Sequence, residues 1–261
     1  MKVSIIIPAY NEEKRIGKTL EEYCKFFKKL KDKKALDFEI LVVMNNTKDK
    51  TEDVVKEYSK TYPEIRYLNL VHGGKGYAVK EGFSDALMRD NQLIGFVDAD
   101  LATSAESFYD LIKNINEYDG IIASRWMKTS VIKIKQTFLR RILSFGFNLI
   151  VRTLFLIPFK DTQCGAKLFK KEVIKKINPE LNITQWAFDV NLLYLATRNN
   201  FKIKEQPTIW EDKTDSKLNV MKVPFQMFSG VVRLRLLNSP FYGIVNMYDR
   251  LPEKIKIHHR F

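Results

Sequence analysis

A chain of 261 residues, 45% hydrophobic and 29% charged, is long enough to bury a sizeable core and too apolar to be disordered. Its 44 Lys and Arg against 31 Asp and Glu leave a net charge of +13, which draws anionic partners: nucleic acid, phosphorylated ligands or an acidic membrane surface. Two cysteines, Cys24 and Cys164, exclude a disulfide framework or a zinc cluster and point to a reducing compartment, while Met1-Lys2-Val3-Ser4-Ile5 enters a strand pattern without the apolar core of a signal peptide.

Val3 to Ile7 is a continuous apolar run, the mark of a strand buried on both faces, and Pro8-Ala9-Tyr10-Asn11-Glu12 ends it. Ile16, Leu20, Tyr23, Cys24, Phe27 and Leu30 then recur at helical spacing. Phe38 to Met44 predicts a second strand, closed by Asn45-Asn46-Thr47, and a short helix with Val54, Val55 and Tyr58 follows. Ile65 to Val71 is a third strand, ended by His72-Gly73-Gly74-Lys75-Gly76; the next helix carries Ala78, Val79, Phe83, Ala86 and Leu87. The fourth strand, Leu93 to Asp98, releases two carboxylates, Asp98 and Asp100, with Ala99 between them. Thr103 and Glu106 spell a capping box for a helix whose apolar face is Phe108, Leu111, Ile112 and Ile115. Ile121 to Ala123 is a fifth strand. Such alternation over about 125 residues implies a parallel, doubly wound sheet. Right-handed crossovers gather Tyr10-Asn11-Glu12, Asn45-Asn46, Gly73 to Gly76, Asp98 to Asp100 and Ser124-Arg125 along one edge.

Ligands of such sheets bind beyond the carboxyl ends of the strands. Two aspartates there suit Mg²⁺ or Mn²⁺, which bridges nucleotide phosphates and neutralises a leaving group. An Asp-x-Asp taken alone is better accounted for as a cap on the next helix; its company along the chain reverses that. The glycine loop is not a dinucleotide fingerprint: it lacks Gly-x-Gly-x-x-Gly, follows the third strand, and has no P-loop Gly-Lys-Ser/Thr. Its glycines let backbone approach a ligand closely, and Lys75 either meets a phosphate or is a solvated loop lysine.

Phe138 to Phe159 has its longest uncharged run at Ile142 to Val151, far short of the ~20 residues that span a bilayer. On a helix Arg140, Ser144, Asn148 and Arg152 form one polar stripe, and Leu139, Ile142, Leu143, Phe147, Leu149, Ile150 and Val151 cover most of the rest. This fits a helix lying at a membrane surface, or a core helix whose arginines reach solvent. Gln185 to Arg198 predicts a helix, and Phe201 to Trp210 contains a strand that Pro207 keeps from the sheet interior. Lys222 to Asn238 is a second basic amphipathic element, and Leu251 onward a basic tail. Cys164, with no histidine near it in sequence, reads as a packed thiol.

Val3-Ser4-Ile5-Ile6-Ile7-Pro8-Ala9-Tyr10-Asn11-Glu12, Gly74-Lys75-Gly76 and Asp98-Ala99-Asp100 together resemble the inverting family 2 glycosyltransferases of GT-A fold. Asp161-Thr162-Gln163-Cys164-Gly165-Ala166-Lys167-Leu168-Phe169 and Trp186-Ala187-Phe188-Asp189-Val190 resemble the dolichyl-phosphate β-glucosyltransferase branch, akin to dolichol-phosphate mannose synthases. The resemblance implies an α/β, doubly wound, mostly parallel sheet flanked by helices, with C-terminal amphipathic interfacial helices. It implies a domain over 1–240, with a nucleotide-sugar-binding half at 1–125, an acceptor and membrane half at 126–240, and a basic tail at 241–261. The implied reaction passes a sugar, glucose from UDP-glucose, to a dolichyl or polyprenyl phosphate. The implied setting is the cytoplasmic face of an anionic membrane, with the enzyme attached peripherally and without a transmembrane helix.

Pro8, Tyr10, Asn11 and Glu12 match the family's first nucleotide loop, with Asn45, Asn46, Lys75, Asp98, Ala99 and Asp100 completing the nucleotide-sugar site. Asp98 and Asp100 match its ligands for Mg²⁺ or Mn²⁺. Arg125, Arg140 and Ser144 match positions that hold the acceptor phosphate, and Asp100, Arg125, Arg140 and Asp189 form the implied catalytic set, Asp189 orienting groups near the acceptor. There are two departures. Asn45-Asn46-Thr47-Lys48 replaces the usual Asp-Asp-Gly-Ser, leaving the base open, and Ala102 stands where some relatives supply a third metal ligand. Transfer to a glycan hydroxyl, with Asp189 as base, is the alternative reaction. A basic nucleic-acid-binding protein is the alternative class; no such motif is present, acidic residues mark the predicted cleft, and no nucleic acid is expected.

Overall fold

A computed structural model describes residues 1–133, 138–182, 187–211 and 222–249, the side chains of 138–142, 222–225, 246 and 249 excepted. β1 (Lys2–Ala9), β2 (Asp37–Asn45) and β4 (Leu93–Phe96) are buried almost end to end because helices cover both faces of their sheet. β1 sends Val3, Ile5, Ile7 and Ala9 to one face, where α1 (Ile16–Asp32), α2 (Thr51–Thr61) and α4 (Ala105–Asn114) pack. Ile6 joins Ala78, Val79 and Phe83 of α3 (Lys75–Leu87) on the other. That second face also takes α5 (Phe138–Phe155), α6 (Lys171–Ile177), α7 (Phe188–Arg198) and α8 (Lys222–Leu237).

With β3 (Ile65–Leu70), β5 (Gly120–Ser124), β7 (Lys167–Lys170) and β8 (Ile203–Pro207), the sheet runs β3-β2-β1-β4-β7-β5-β8. β7 is antiparallel to both neighbours and every other pairing is parallel. β6 (Val131–Ile132) and β9 (Ile209–Trp210) form a separate ribbon. The doubly wound, mostly parallel α/β sheet is as expected, and β8, with Pro207, is an edge strand. The antiparallel β7 carries no expectation from the sequence.

Several local expectations are corrected. Pro8 does not end β1 but lies inside it, opposite Val43. Ile6 turns its carbonyl to Val97 N, so Pro8 presents its missing N–H to the side from which β4 has already departed. β4 pairs only as far as Phe96, two residues before Asp98. The helix after it is capped by Ser104, which accepts from Ser107 N at 3.2 Å, not by Thr103 and Glu106. Thr103 instead pairs with Trp210, and its carbonyl takes the Tyr23 hydroxyl at 2.9 Å. The polar stripe of α5 turns inward at Asn148, which is buried and accepts from Thr162 N and Oγ1, both at 2.9 Å. Part of the segment assigned to a basic tail forms α9 (Tyr242–Asp249), packed on α8. Residues 250–261 and Trp186, with the start of the helix expected from Gln185, lie outside the described residues. Among the described residues no helix is long and apolar enough to cross a membrane.

Candidate active site

The turn after β1 holds Asn11 at a φ of 54°, a left-handed conformation asparagine tolerates, and its side chain accepts from Lys48 N at 2.8 Å. The loops after β1 and β2 are thereby tied together. Glu12 N donates to Thr51 Oγ1 at 2.7 Å, while its carboxylate receives two guanidinium nitrogens of Arg15 at 2.6 Å. Burial pushes the Glu12 acid up against the pull of Arg15, and the charges of Asp100 and Asp98 push the same way. Tyr10 stands 53% exposed at the rim. Asn45, by contrast, is buried; it donates to Ala9 O at 2.6 Å and accepts from Gly74 N at 2.9 Å. It fastens the glycine loop to β1, which leaves Asn46, at φ 57° and facing Gly73, as the neighbouring amide nearer solvent.

Gly74, at φ 128°, immediately precedes α3 and makes Lys75 the first helical residue. Lys75 Nζ lies 2.6 Å from Asp98 Oδ1 and 4.0 Å from Asp189 Oδ2. Burial works to lower its proton affinity, but Asp98 and Asp189 outweigh it and hold Lys75 above the ordinary lysine range. Asp100 accepts from Ala102 N at 3.0 Å across Leu101, whose φ of 60° is unusual for a bulky side chain and marks a strained turn at this point. Burial, then the Asp98 charge, raises the Asp100 acid.

Asp189, 5% exposed, sits in the first turn of α7. Its Oδ1 takes the ammonium of fully buried Lys167 at 2.5 Å; Lys167 also donates to Cys164 O at 2.7 Å and lies 5.2 Å from the Phe96 ring centroid. Asp98, Lys75, Asp189 and Lys167 thus form one row of alternating charge from cleft to core. Backbone fit maintains it. A Cβ on Gly165 would overlap the Asp98 carboxylate, and one on Gly76 would come within 2.5 Å of Phe188, next to Asp189.

Arg125 Nε and Nη2 bind the two oxygens of fully buried Asp161 at 2.8 and 2.9 Å, its backbone N reaches Oδ2 at 2.9 Å, and its guanidinium lies 5.3 Å from the Trp210 ring centroid. Burial would raise the Asp161 acid, but Arg125 dominates and holds it below the usual carboxylate range. These contacts pair two of the three guanidinium nitrogens with the chain's own carboxylate. Ser144 lies on α5 and its carbonyl accepts from Asn148 Nδ2 at 2.9 Å; the Arg140 side chain is outside the described residues. Burial, with Asp161 adding, pushes the Cys164 thiol up to about 12, so it is a packed thiol.

The described geometry therefore groups Glu12, Lys75, Asp98, Asp100 and Asp189 at the strand ends, with Arg125 paired to Asp161. Sequence reasoning assigned no chemistry to Asp161, Thr162, Gly165 or Lys167, although all four lie in the Asp161 to Phe169 stretch that carries part of the family resemblance. Among the described residues no group of three or more His, Cys, Asp or Glu makes a complete cation site. Mg²⁺ or Mn²⁺ carried by a nucleotide takes only one or two carboxylates, phosphates and water completing the shell. The hard oxygens of Asp98 and Asp100, with proton affinity raised at Asp100 and at Glu12, fit such an ion.

Residues 4–177 match the glycosyl transferase family 2 profile. The chain is 39% identical over 244 residues to a dolichyl-phosphate beta-glucosyltransferase of Dictyostelium discoideum, spanning 89% of this chain and 73% of that one. It is 31% identical over 250 residues to the dolichyl-phosphate beta-glucosyltransferase of Homo sapiens, spanning 90% and 75%. Among solved structures, glucosyl-3-phosphoglycerate synthase from Mycobacterium tuberculosis in complex with Mn²⁺, UDP and phosphoglyceric acid superposes with a TM-score of 0.61 at 13% identity, covering 90% of this chain and 78% of that one. At that identity the likeness is one of fold.

Proposed function

This chain belongs to glycosyl transferase family 2, and on that premise we propose that it transfers glucose from UDP-glucose to a dolichyl or other polyprenyl phosphate at the cytoplasmic face of a membrane. The observation that carries the reading is the identity, sustained over about nine-tenths of the chain, to relatives named for glucosyl transfer to dolichyl phosphate. Residues 1–125 take the nucleotide sugar and 126–240 the acceptor and the membrane. Tyr10, Asn11, Glu12 and Asn46 line the nucleotide side, and Lys75 opens the diphosphate side. Asp98 and Asp100 would hold Mg²⁺ or Mn²⁺, which supplies charge neutralisation at the departing diphosphate. The acceptor phosphate is already an anion, so in-line attack asks the protein for aim and not for a base. Asp189, with its oxygens facing Lys167 and Lys75, orients that side of the cleft. Arg125, whose guanidinium is set by Asp161, holds the acceptor phosphate together with Arg140 and Ser144 on α5.

Membrane contact is supported by the outward face of α5, α8 and α9, where Phe145 is 63% exposed and Leu149, Phe228, Phe241, Ile244 and Met247 join it. α5 turns Asn148, Val151 and Phe155 inward and leaves Leu143, Phe145, Leu149 and Ile150 exposed on its other side. The test presents dolichyl phosphate in anionic liposomes to a panel of nucleotide sugars and reads products by mass spectrometry. Glucosyl-lipid is expected from UDP-glucose, with liposome adsorption that weakens as salt rises. A lipid product from GDP-mannose instead, or tenfold tighter binding of GDP than UDP, a gap of ~1.4 kcal/mol, overturns the donor assignment.

Gly165 provides a second check. Gly165→Ala is expected to push the Asp98 carboxylate from its place and weaken UDP binding in the presence of Mn²⁺ by about tenfold or more in calorimetry. Far-UV circular dichroism should not change. Wild-type affinity in this variant would detach Asp98 from nucleotide binding.

A further inference from the structure

Lys75 and Lys167 both face Asp189, yet they are built differently. Lys167 is fully buried and held by two acceptors, Asp189 Oδ1 and Cys164 O. Lys75 has a side chain 37% exposed, its shortest ion pair is the one to Asp98 at 2.6 Å, and Asp98 itself is 36% exposed. Lys75 starts α3 directly after Gly74, so its four-carbon stem projects from a helix N-terminus into the cleft. Arg15, another cation at this edge, grips Glu12 through two nitrogens. Asp98 thus carries an internal cation on one oxygen, at hydrogen-bonding distance. A compact ammonium and a divalent ion repel at such separations, and one carboxylate cannot bind both at full strength.

We propose that Lys75 is a specificity-determining counter-cation, which holds Asp98 until a nucleoside diphosphate arrives and then passes its ammonium to the diphosphate oxygens, leaving Asp98 to the metal. The inference rests on the reading of Asp98 and Asp100 as the ligands of a divalent ion. The site then takes a metal–nucleotide complex in preference to the free ion, because the nucleotide offers Lys75 anionic oxygens beyond Asp98 and the more distant Asp189, whose other oxygen is already held by Lys167. The four-carbon stem makes the exchange without movement of α3.

Opposite signs for the two ligands make the exchange testable. Mn²⁺ alone, and UDP with Mn²⁺ present, are titrated calorimetrically into wild type, Lys75→Met and Lys75→Arg, with thermal melts to confirm folding. Lys75→Met is expected to bind Mn²⁺ alone at least about tenfold more tightly than wild type, because the competing charge is gone, and UDP at least about tenfold more weakly. Lys75→Arg keeps the charge and should bind Mn²⁺ alone as wild type does. Unchanged or weaker binding of Mn²⁺ alone by Lys75→Met, while wild type still binds Mn²⁺ with UDP, overturns the exchange and spares the metal reading. Failure of wild type to bind Mn²⁺ even with UDP overturns both.

Discussion

Asp100→Asn is expected to lower turnover by about 10²-fold or more, the scale on which loss of a preorganised electrostatic group acts. Asparagine keeps the side-chain size and the oxygen that accepts from Ala102 N at 3.0 Å, so the turn through Leu101 survives. The loss is one charge. Burial and neighbouring Asp98 disfavour that charge in the folded protein, which is why the Asp100 acid is raised. A group whose folded proton affinity is raised weakens the fold when ionised, so the neutral variant should melt no lower than wild type. Activity and stability therefore part company, a signature that a merely structural carboxylate does not give. EDTA should bring wild type down to a similar level, with recovery on adding Mg²⁺ or Mn²⁺. Full turnover in EDTA, or in Asp100→Asn, would remove the metal from the reaction.

The sequence made the architecture legible where burial is continuous. The apolar runs at Val3, Phe38 and Leu93 became β1, β2 and β4, and their loops meet at one edge as crossover handedness requires. It was silent on β7, a four-residue strand with a lysine at each end, because the carboxylate that neutralises buried Lys167, Asp189, lies 22 residues away. Arg125 is the same case: its place after a strand was legible, but the carboxylate that orients its guanidinium lies 36 residues further on. The period of α5 identified its polar stripe but not the side that stripe faces. Asn148 points inward because Thr162 waits there with two donors, a tertiary fact that no helical spacing contains. Asn45 and Asn46 are adjacent and chemically identical; only the backbone partners Ala9 and Gly74 assign one to the scaffold.

Lys167→Met is expected to destabilise the protein by about 3–5 kcal/mol, the cost of stripping one partner from a buried pair. Methionine fills a similar volume and adapts its shape, so little of the loss comes from packing. What remains is Asp189, nearly buried, facing only Lys75 at 4.0 Å where it had an ammonium at 2.5 Å. At roughly 2–4 °C per kcal/mol for a chain of this size, Tm should fall by about 6–20 °C. Adding Asp189→Asn to Lys167→Met removes the orphaned charge, so the double variant should regain most of the lost Tm. Its turnover should stay low, because the neutral pair restores the fold without the carboxylate that orients the acceptor side. A drop below about 3 °C in the single variant, or no recovery in the double, would mean that Lys167 and Asp189 are not energetically coupled. Return of wild-type turnover in the double variant would instead leave the pair a structural brace with no part in the reaction.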